Sequence, residues 1–205
     1  RVMLTTWPPP ESLKSTTSPY QGTLAKTAGG QYRYADYAAW WTRALQFYQN
    51  NSVLPDYVSI QNECDFTPTP PSSGPIAAYL AGCYLNATET TTKAGYPQAL
   101  AAVRSAFSAA GLGSMKMIGP DTTAIGGDKV KNYLDNIPSG QIDAIAHHLY
   151  HDSPGSTGIA DLSRLQSQYP NWVMPKFMTE LNPHDTYEDW DPAQPGWMQL
   201  AVTMH

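Results

Sequence analysis

Short apolar runs alternate along this chain with longer stretches whose apolar residues recur at helical spacing. Val2-Met3-Leu4-Thr5-Thr6-Trp7 reads as a strand ending in polar groups and a ring. Pro8-Pro9-Pro10 stops it, because proline cannot donate to a ladder. From Tyr34 to Asn50, residues Tyr37, Ala38, Trp41, Leu45 and Tyr48 fall three and four apart, which predicts a helix with one buried stripe. Tyr57-Val58-Ser59-Ile60 is a β-branched and aromatic run that ends in Gln61-Asn62-Glu63. A helix is expected from Tyr96 to Ala110, with Thr90 or Thr91 as a candidate cap before it. Met115 to Gly119 reads as a strand that ends in Pro120-Asp121-Thr122, and Lys129 to Asn136 as a shorter helix. Ile142 to Ala146 is a strand running into His147-His148-Leu149-Tyr150, followed by a helix from Ile159 to Tyr169. Lys176-Phe177-Met178-Thr179-Glu180-Leu181-Asn182 is the last strand, and a last helix begins near Gly196. Residues 11–33 and 67–75 carry no period and read as loops, while Ile76 to Asn86 is ambiguous, with a short helix as one reading.

The order is strand then helix, five times over, which implies a parallel sheet with right-handed crossovers. Each strand carries its polar residues at its C-terminal end: Thr6-Trp7, Asn62-Glu63, Asp121, His148-Tyr150 and Glu180-Asn182. That is how the working face of a (β/α)8 barrel is built. A doubly wound open sheet also places ligands at strand ends, but no glycine-rich phosphate fingerprint follows any strand here. Whole barrels run to about 250 residues. Five units in 205 residues are therefore expected to be an incomplete barrel, about strands 3 to 7 with their helices, lacking the first two and last βα units.

Composition narrows the partners. Charged residues make up 14% of the chain and the net charge is −5, so no basic footprint for nucleic acid is present. No run of about 18 apolar residues predicts a membrane span. Six tryptophans and thirteen tyrosines supply flat rings for stacking on ligand faces. Cys64 and Cys83 lack metal-ligand spacing, which argues against zinc. They are either two buried thiols or a disulfide closing the loop after Glu63; the disulfide is the expectation, and it implies an oxidising compartment. Asn50-Asn51-Ser52 and Asn86-Ala87-Thr88 match the glycosylation triplet.

Glu63 and Glu180 are delivered alike, each at the end of a short apolar strand, with two strands between them. Two converging carboxylates are the minimum equipment for cleaving a glycosidic bond. The stretches Leu4-Thr5-Thr6-Trp7-Pro8-Pro9-Pro10, Ser59-Ile60-Gln61-Asn62-Glu63, Gly119-Pro120-Asp121, His148-Leu149-Tyr150 and Met178-Thr179-Glu180 resemble glycoside hydrolase family 30, a family of retaining (β/α)8 barrels, and especially its xylanase branch. The resemblance implies Glu63 as acid/base at the end of the fourth strand and Glu180 as nucleophile at the end of the seventh. Their carboxyl groups would then lie about 5–5.5 Å apart. It further implies that Asn62 bonds the sugar 2-hydroxyl, that Trp7 stacks on a sugar ring, that Tyr150 orients the nucleophile and that His148 lines the same subsite. His147 is expected to point away, since strand neighbours alternate faces. Phe66, Asp121, Asn182 and Trp190 are candidates for the cleft rim.

Two departures from the family pattern stand out. Cys64 occupies the place where proline usually follows the acid/base glutamate, and the side β-structure of the family is not found. The expected protein is a secreted, monomeric retaining endo-β-1,4-xylanase acting on polysaccharide, with no metal and no cofactor. A β-1,6-glucanase or glucosylceramidase-like hydrolase is the alternative within the family. A non-catalytic polysaccharide-binding protein is the alternative from another class.

Overall fold

A computed structural model describes residues 2–66, 81–125, 128–150, 163, 166–167 and 174–182. Five strands, β1 (Met3–Thr5), β2 (Tyr57–Ser59), β3 (Lys116–Thr122), β4 (Ala144–Tyr150) and β5 (Lys176–Asn182), form one parallel sheet in sequence order. Helices α1 (Tyr34–Asn50), α2 (Tyr96–Ala109) and α3 (Lys129–Leu134) lie in the connections. The expected helices over 159–169 and from 196 fall almost wholly outside the described residues.

The predicted helical stripes are the buried ones. α1 buries Tyr37, Ala38, Trp41 and Leu45, and α2 buries Tyr96, Ala99, Leu100, Val103 and Phe107. α2 starts on Gly95 with Pro97 in its first turn, where a missing N–H costs nothing. Thr90 does not cap it; its hydroxyl accepts from the N–H groups of Thr92 and Lys93 in a separate turn. α1 also fixes the end of β2. The Tyr37 hydroxyl and the Trp41 indole, at 3.2 Å, both donate to the carbonyl of Ile60, the residue from which the chain turns into Gln61-Asn62-Glu63.

Several sequence expectations need correcting. β3 does not stop at Gly119 but runs through Pro120 to Thr122. Proline is tolerated there because the β3–β4 register shifts between Pro120 and Thr122, a bulge that spares a ladder donor. Residues 11–33 are more than loop: a 3-10 turn at Glu11–Leu13 is followed by antiparallel bridges Lys14–Leu24 and Lys26–Tyr32. Leu13, Leu24 and Tyr32 are buried there, and so is Lys14, whose ammonium donates to the carbonyls of Pro19 and Gly82. Residues 81–86, the described part of the ambiguous Ile76 to Asn86 stretch, are not helical.

The cysteines are another correction. Cys64 and Cys83 are both buried and both free. Each sulfur has a different neighbour: the Cys64 thiol donates to the Pro120 carbonyl at 3.2 Å, while Cys83 feels the Lys14 ammonium. Burial pushes the Cys64 thiol well up, and pushes Cys83 up to about 12 against the opposing pull of Lys14. Both therefore stay protonated and unreactive. The loop after Glu63 is held instead by backbone, through Leu85 N–H to the Cys64 carbonyl at 2.9 Å.

Candidate active site

The C-terminal strand ends bring Glu63, His148 and Glu180 together, with one oxygen or nitrogen atom from each lying within 4.8 Å of the others. Neighbouring strands sit about 4.8 Å apart, so β2 and β5, with two strands between them, would be about 14 Å apart in a flat sheet. The sheet must curl strongly for its glutamates to meet, as a barrel wall does.

Glu63 follows β2 in the left-handed region at φ 45°, and Asp121 on β3 adopts φ 64°. Residues other than glycine reach that region at a cost and concentrate at functional sites. The two are bonded to each other through Glu63 N–H to the Asp121 carbonyl at 2.9 Å. Asp65 ties the same loop to the end of β3: its carboxylate accepts from Thr123 N–H and from the Thr123 hydroxyl, both at 2.8 Å, with Lys129 at 3.3 Å.

His148 stands between the carboxylates. Its Nδ1 lies 3.1 Å from Glu63 Oε1, and its Nε2 lies 3.6 Å from Glu180 Oε1 and 3.5 Å from Asp121 Oδ1. Burial alone would lower the basicity of the ring, but the Asp121 and Glu63 contacts and the nearby charge of Glu180 outweigh it and push the group up to about 9. By donor type the trio could also hold a divalent cation. The ring uses one nitrogen on each glutamate, however, and a single ion could take only one of them.

Asp121 is placed differently from the rim position expected of it. It is fully buried, accepting from Ser59 Oγ at 2.7 Å and from the Thr179 hydroxyl. The β4–β5 register shifts between His147 and His148, where β5 carries the extra residue Thr179, and both histidines are buried. The His147 ring lies against the backbone, with Nδ1 3.1 Å from the His148 carbonyl.

Asn62 is almost buried, its N–H held by the Thr6 carbonyl at 2.8 Å. Trp7 is 38% exposed, and its carbonyl accepts from the Gln61 side-chain amide. Phe66 is 39% exposed, one turn beyond Glu63. Tyr150 and Asn182 pair through their backbones at the ends of β4 and β5, while the roles expected of their side chains, and Trp190 altogether, lie outside the described residues. Sequence reasoning missed Ser59, Asp65 and Thr179. Single hydroxyls inside apolar strand runs were the available signal, because a buried hydroxyl needs a partner.

No family model matches the chain, and no curated protein matches it in sequence. Solved structures do. An endo-β1,6-glucanase superposes with a TM-score of 0.62 at 20% identity, over 87% of this chain and 37% of its own. The catalytic domain of the family 30 xylanase C from Talaromyces cellulolyticus superposes with 0.55 at 18% identity, over 76% and 34%. A monomeric β-xylosidase from Caulobacter crescentus gives 0.56 at 15% identity, over 92% and 38%. The likeness is one of fold. Five parallel strands, curled so that their ends converge, are part of a (β/α) barrel of the kind these glycosidases have. The chain spans between about a third and two fifths of their length.

Proposed function

We propose that this chain cleaves β-linked polysaccharide at its glycosidic bonds with retention of configuration. The observation that carries the reading is the approach of Glu63 and Glu180, one carboxylate oxygen from each coming within 4.8 Å across the strand ends. Retaining glycosidases hold their carboxyl groups about 5–5.5 Å apart, while inverting ones leave about 6.5–9.5 Å for a water. In this mechanism Glu180 attacks the anomeric carbon while Glu63 gives its proton to the leaving oxygen. The C1–O bond to the leaving sugar breaks as the ester to Glu180 forms. Glu63 then takes a proton from water, the water attacks C1, and Glu180 is released. Asn62, with its backbone pinned to Thr6, is suited to bond the 2-hydroxyl, and Trp7 and Phe66 offer exposed rings for sugar faces.

Xylan is the substrate that the sequence resemblance favours, and a family 30 xylanase is among the similar folds. β-1,6-Glucan is the second reading, favoured by the higher TM-score of the endo-β1,6-glucanase. Secretion follows from a polymeric substrate that cannot enter a cell; among the described residues no helix is long and apolar enough to cross a membrane.

The test is release of reducing ends from glucuronoxylan, linear xylan and pustulan, with the first-formed anomer read by proton NMR. Cleavage with retained configuration, falling at least about 10³-fold in Glu63→Gln and Glu180→Gln, is expected. Binding of polymer with no new reducing ends would replace this reading with a binding module. An inverted first product would remove the double displacement.

A further inference from the structure

Four successive strands contribute to one buried polar chain under the glutamates: Ser59 from β2, Asp121 from β3, His148 from β4, and Thr179 beside Glu180 from β5. Asp121 is fully buried, so it cannot touch a substrate. Two hydroxyl donors satisfy its hydrogen-bonding oxygens without neutralising its charge. A buried carboxylate needs a cation or a proton. Lys129 is engaged with Asp65 at the surface, whereas His148 Nε2 lies 3.5 Å away.

The ring itself points to the same answer. A neutral imidazole has one N–H and one bare lone pair. Here Nε2 faces the carboxylates of Asp121 and Glu180, which a bare nitrogen would repel, and Nδ1 faces Glu63, whose acid proton a bare nitrogen would draw away from the leaving oxygen. Only the doubly protonated ring turns a hydrogen toward all of them, at hydrogen-bond distance on Glu63 and at ion-pair distance on Asp121 and Glu180. We propose that Asp121 is a positioning residue which, clamped by Ser59 and Thr179, keeps the His148 ring doubly protonated and fixed between Glu63 and Glu180, so that each glutamate faces an N–H donor.

This rests on the glycosidase reading for its consequence. Forming the glycosyl ester removes the negative charge from Glu180 and leaves one on Glu63, as the proton passes to the leaving oxygen. The charge therefore hops from the Nε2 side of the ring to the Nδ1 side. A cation held midway stabilises both ends of that hop without moving, and His148 keeps both of its protons throughout. The charged groups around it are Glu63 after β2, Asp121 on β3 and Glu180 on β5, with the His147 ring on its own strand.

The test reads the ring directly by long-range proton–nitrogen NMR of the protein, with His148 assigned from the His148→Gln spectrum. Both nitrogens should carry hydrogen at pH 7 and titrate together near pH 9. In Asp121→Asn the titration should fall by one to two pH units, about 10- to 100-fold in proton affinity. Thr179→Val keeps the charge and leaves Asp121 Oδ1 to His148 Nε2 alone, so it should shift the titration upward. On substrate, Asp121→Asn should lower kcat with KM nearly unchanged, because the group never meets sugar. A singly protonated ring at pH 7 in the parent overturns the proposal without any variant. An unmoved titration in Asp121→Asn does the same, or in Thr179→Val if the first variant does not fold. The NMR result stands whether or not any polysaccharide is cleaved, so an inactive protein with a doubly protonated ring would sink the glycosidase reading alone.

Discussion

The close fit of Tyr96 against Gly119 permits a sharp test of how β3 is held. Gly119 does not have a positive φ, so its lack of a side chain serves space, not backbone freedom. A Cβ built there would stand 2.0 Å from the Tyr96 hydroxyl oxygen and 3.1 Å from Cζ. The tyrosine cannot retreat, since it is fully buried and packed edge-on against Tyr133 with ring centroids 5.6 Å apart. Overpacking of this kind costs about 1–3 kcal/mol, and replacing glycine in a strand returns roughly 0.5–1 kcal/mol. Gly119→Ala should therefore lose about 1–2 kcal/mol, a shift of roughly 0.5–1 M in urea midpoint at an m-value near 2 kcal/mol/M.

The hydroxyl causing the clash has no hydrogen-bond partner among the described residues, and burial pushes its ionisation well up. An unsatisfied buried polar group costs about 1–3 kcal/mol, so Tyr96→Phe alone should be neutral or stabilising by up to about 1 kcal/mol. In that background the nearest atom to the new Cβ is Cζ, a gap that a few tenths of an ångström relieve. The double-mutant cycle should accordingly show a coupling of at least about 1 kcal/mol in favour of the pair. Equal cost of Gly119→Ala in both backgrounds would refute the steric argument. A loss above about 1 kcal/mol from Tyr96→Phe would mean that the hydroxyl is bonded after all.

Two further outcomes are expected. Asp65→Ala leaves the Thr123 N–H without its acceptor and should cost about 1–2 kcal/mol in urea unfolding, with a lower kcat through the loosened Glu63 loop; an unchanged midpoint would count against it. His148 is raised from 6.5 to about 9 on folding, so its contribution to stability is whole below about pH 6.5 and is lost as pH rises through about 9. On the order of 3 kcal/mol is at stake by that shift. Urea midpoints measured from pH 6 to 8, below the range in which the unfolded Cys64 and Cys83 thiols ionise, should fall in the parent and stay flat in His148→Gln; a flat parent profile contradicts the pairing.

Much of this was legible because the signals are local. The spacing of Tyr37, Trp41 and Leu45 marks α1 from Tyr34 to Asn50, and the run from Lys176 to Asn182 marks β5. The glutamates announce themselves as polar ends of apolar strands. What was not legible depends on register. The irregularity beside His147 and His148 is one such case: β5 carries Thr179 as an extra residue there, which the spacing of the strands does not announce. Asp121 reads as a rim residue because Pro120 looks like the end of a strand; the structure carries the strand past it and turns the carboxylate inward. Cys64 and Cys83 show the same limit, since sequence spacing says nothing about where two sulfur atoms point.

The division between chemistry and specificity follows from the same geometry. Ser59, Asp121, His148 and Thr179 are drawn from four adjacent strands, so the placement of the glutamates is a property of the sheet. Solved enzymes named for β1,6-glucan and for xylan both superpose on this fold, at 20% and 18% identity. On the glycosidase reading proposed above, a fold shared by enzymes of different polymers serves what those polymers have in common, attack at an anomeric carbon and protonation of its leaving oxygen. Choice of polymer must then rest on side chains that reach beyond the strand ends. Exchanging the loop after Glu63 should change which polysaccharide is cut, while a change at Asp121 should slow every substrate alike.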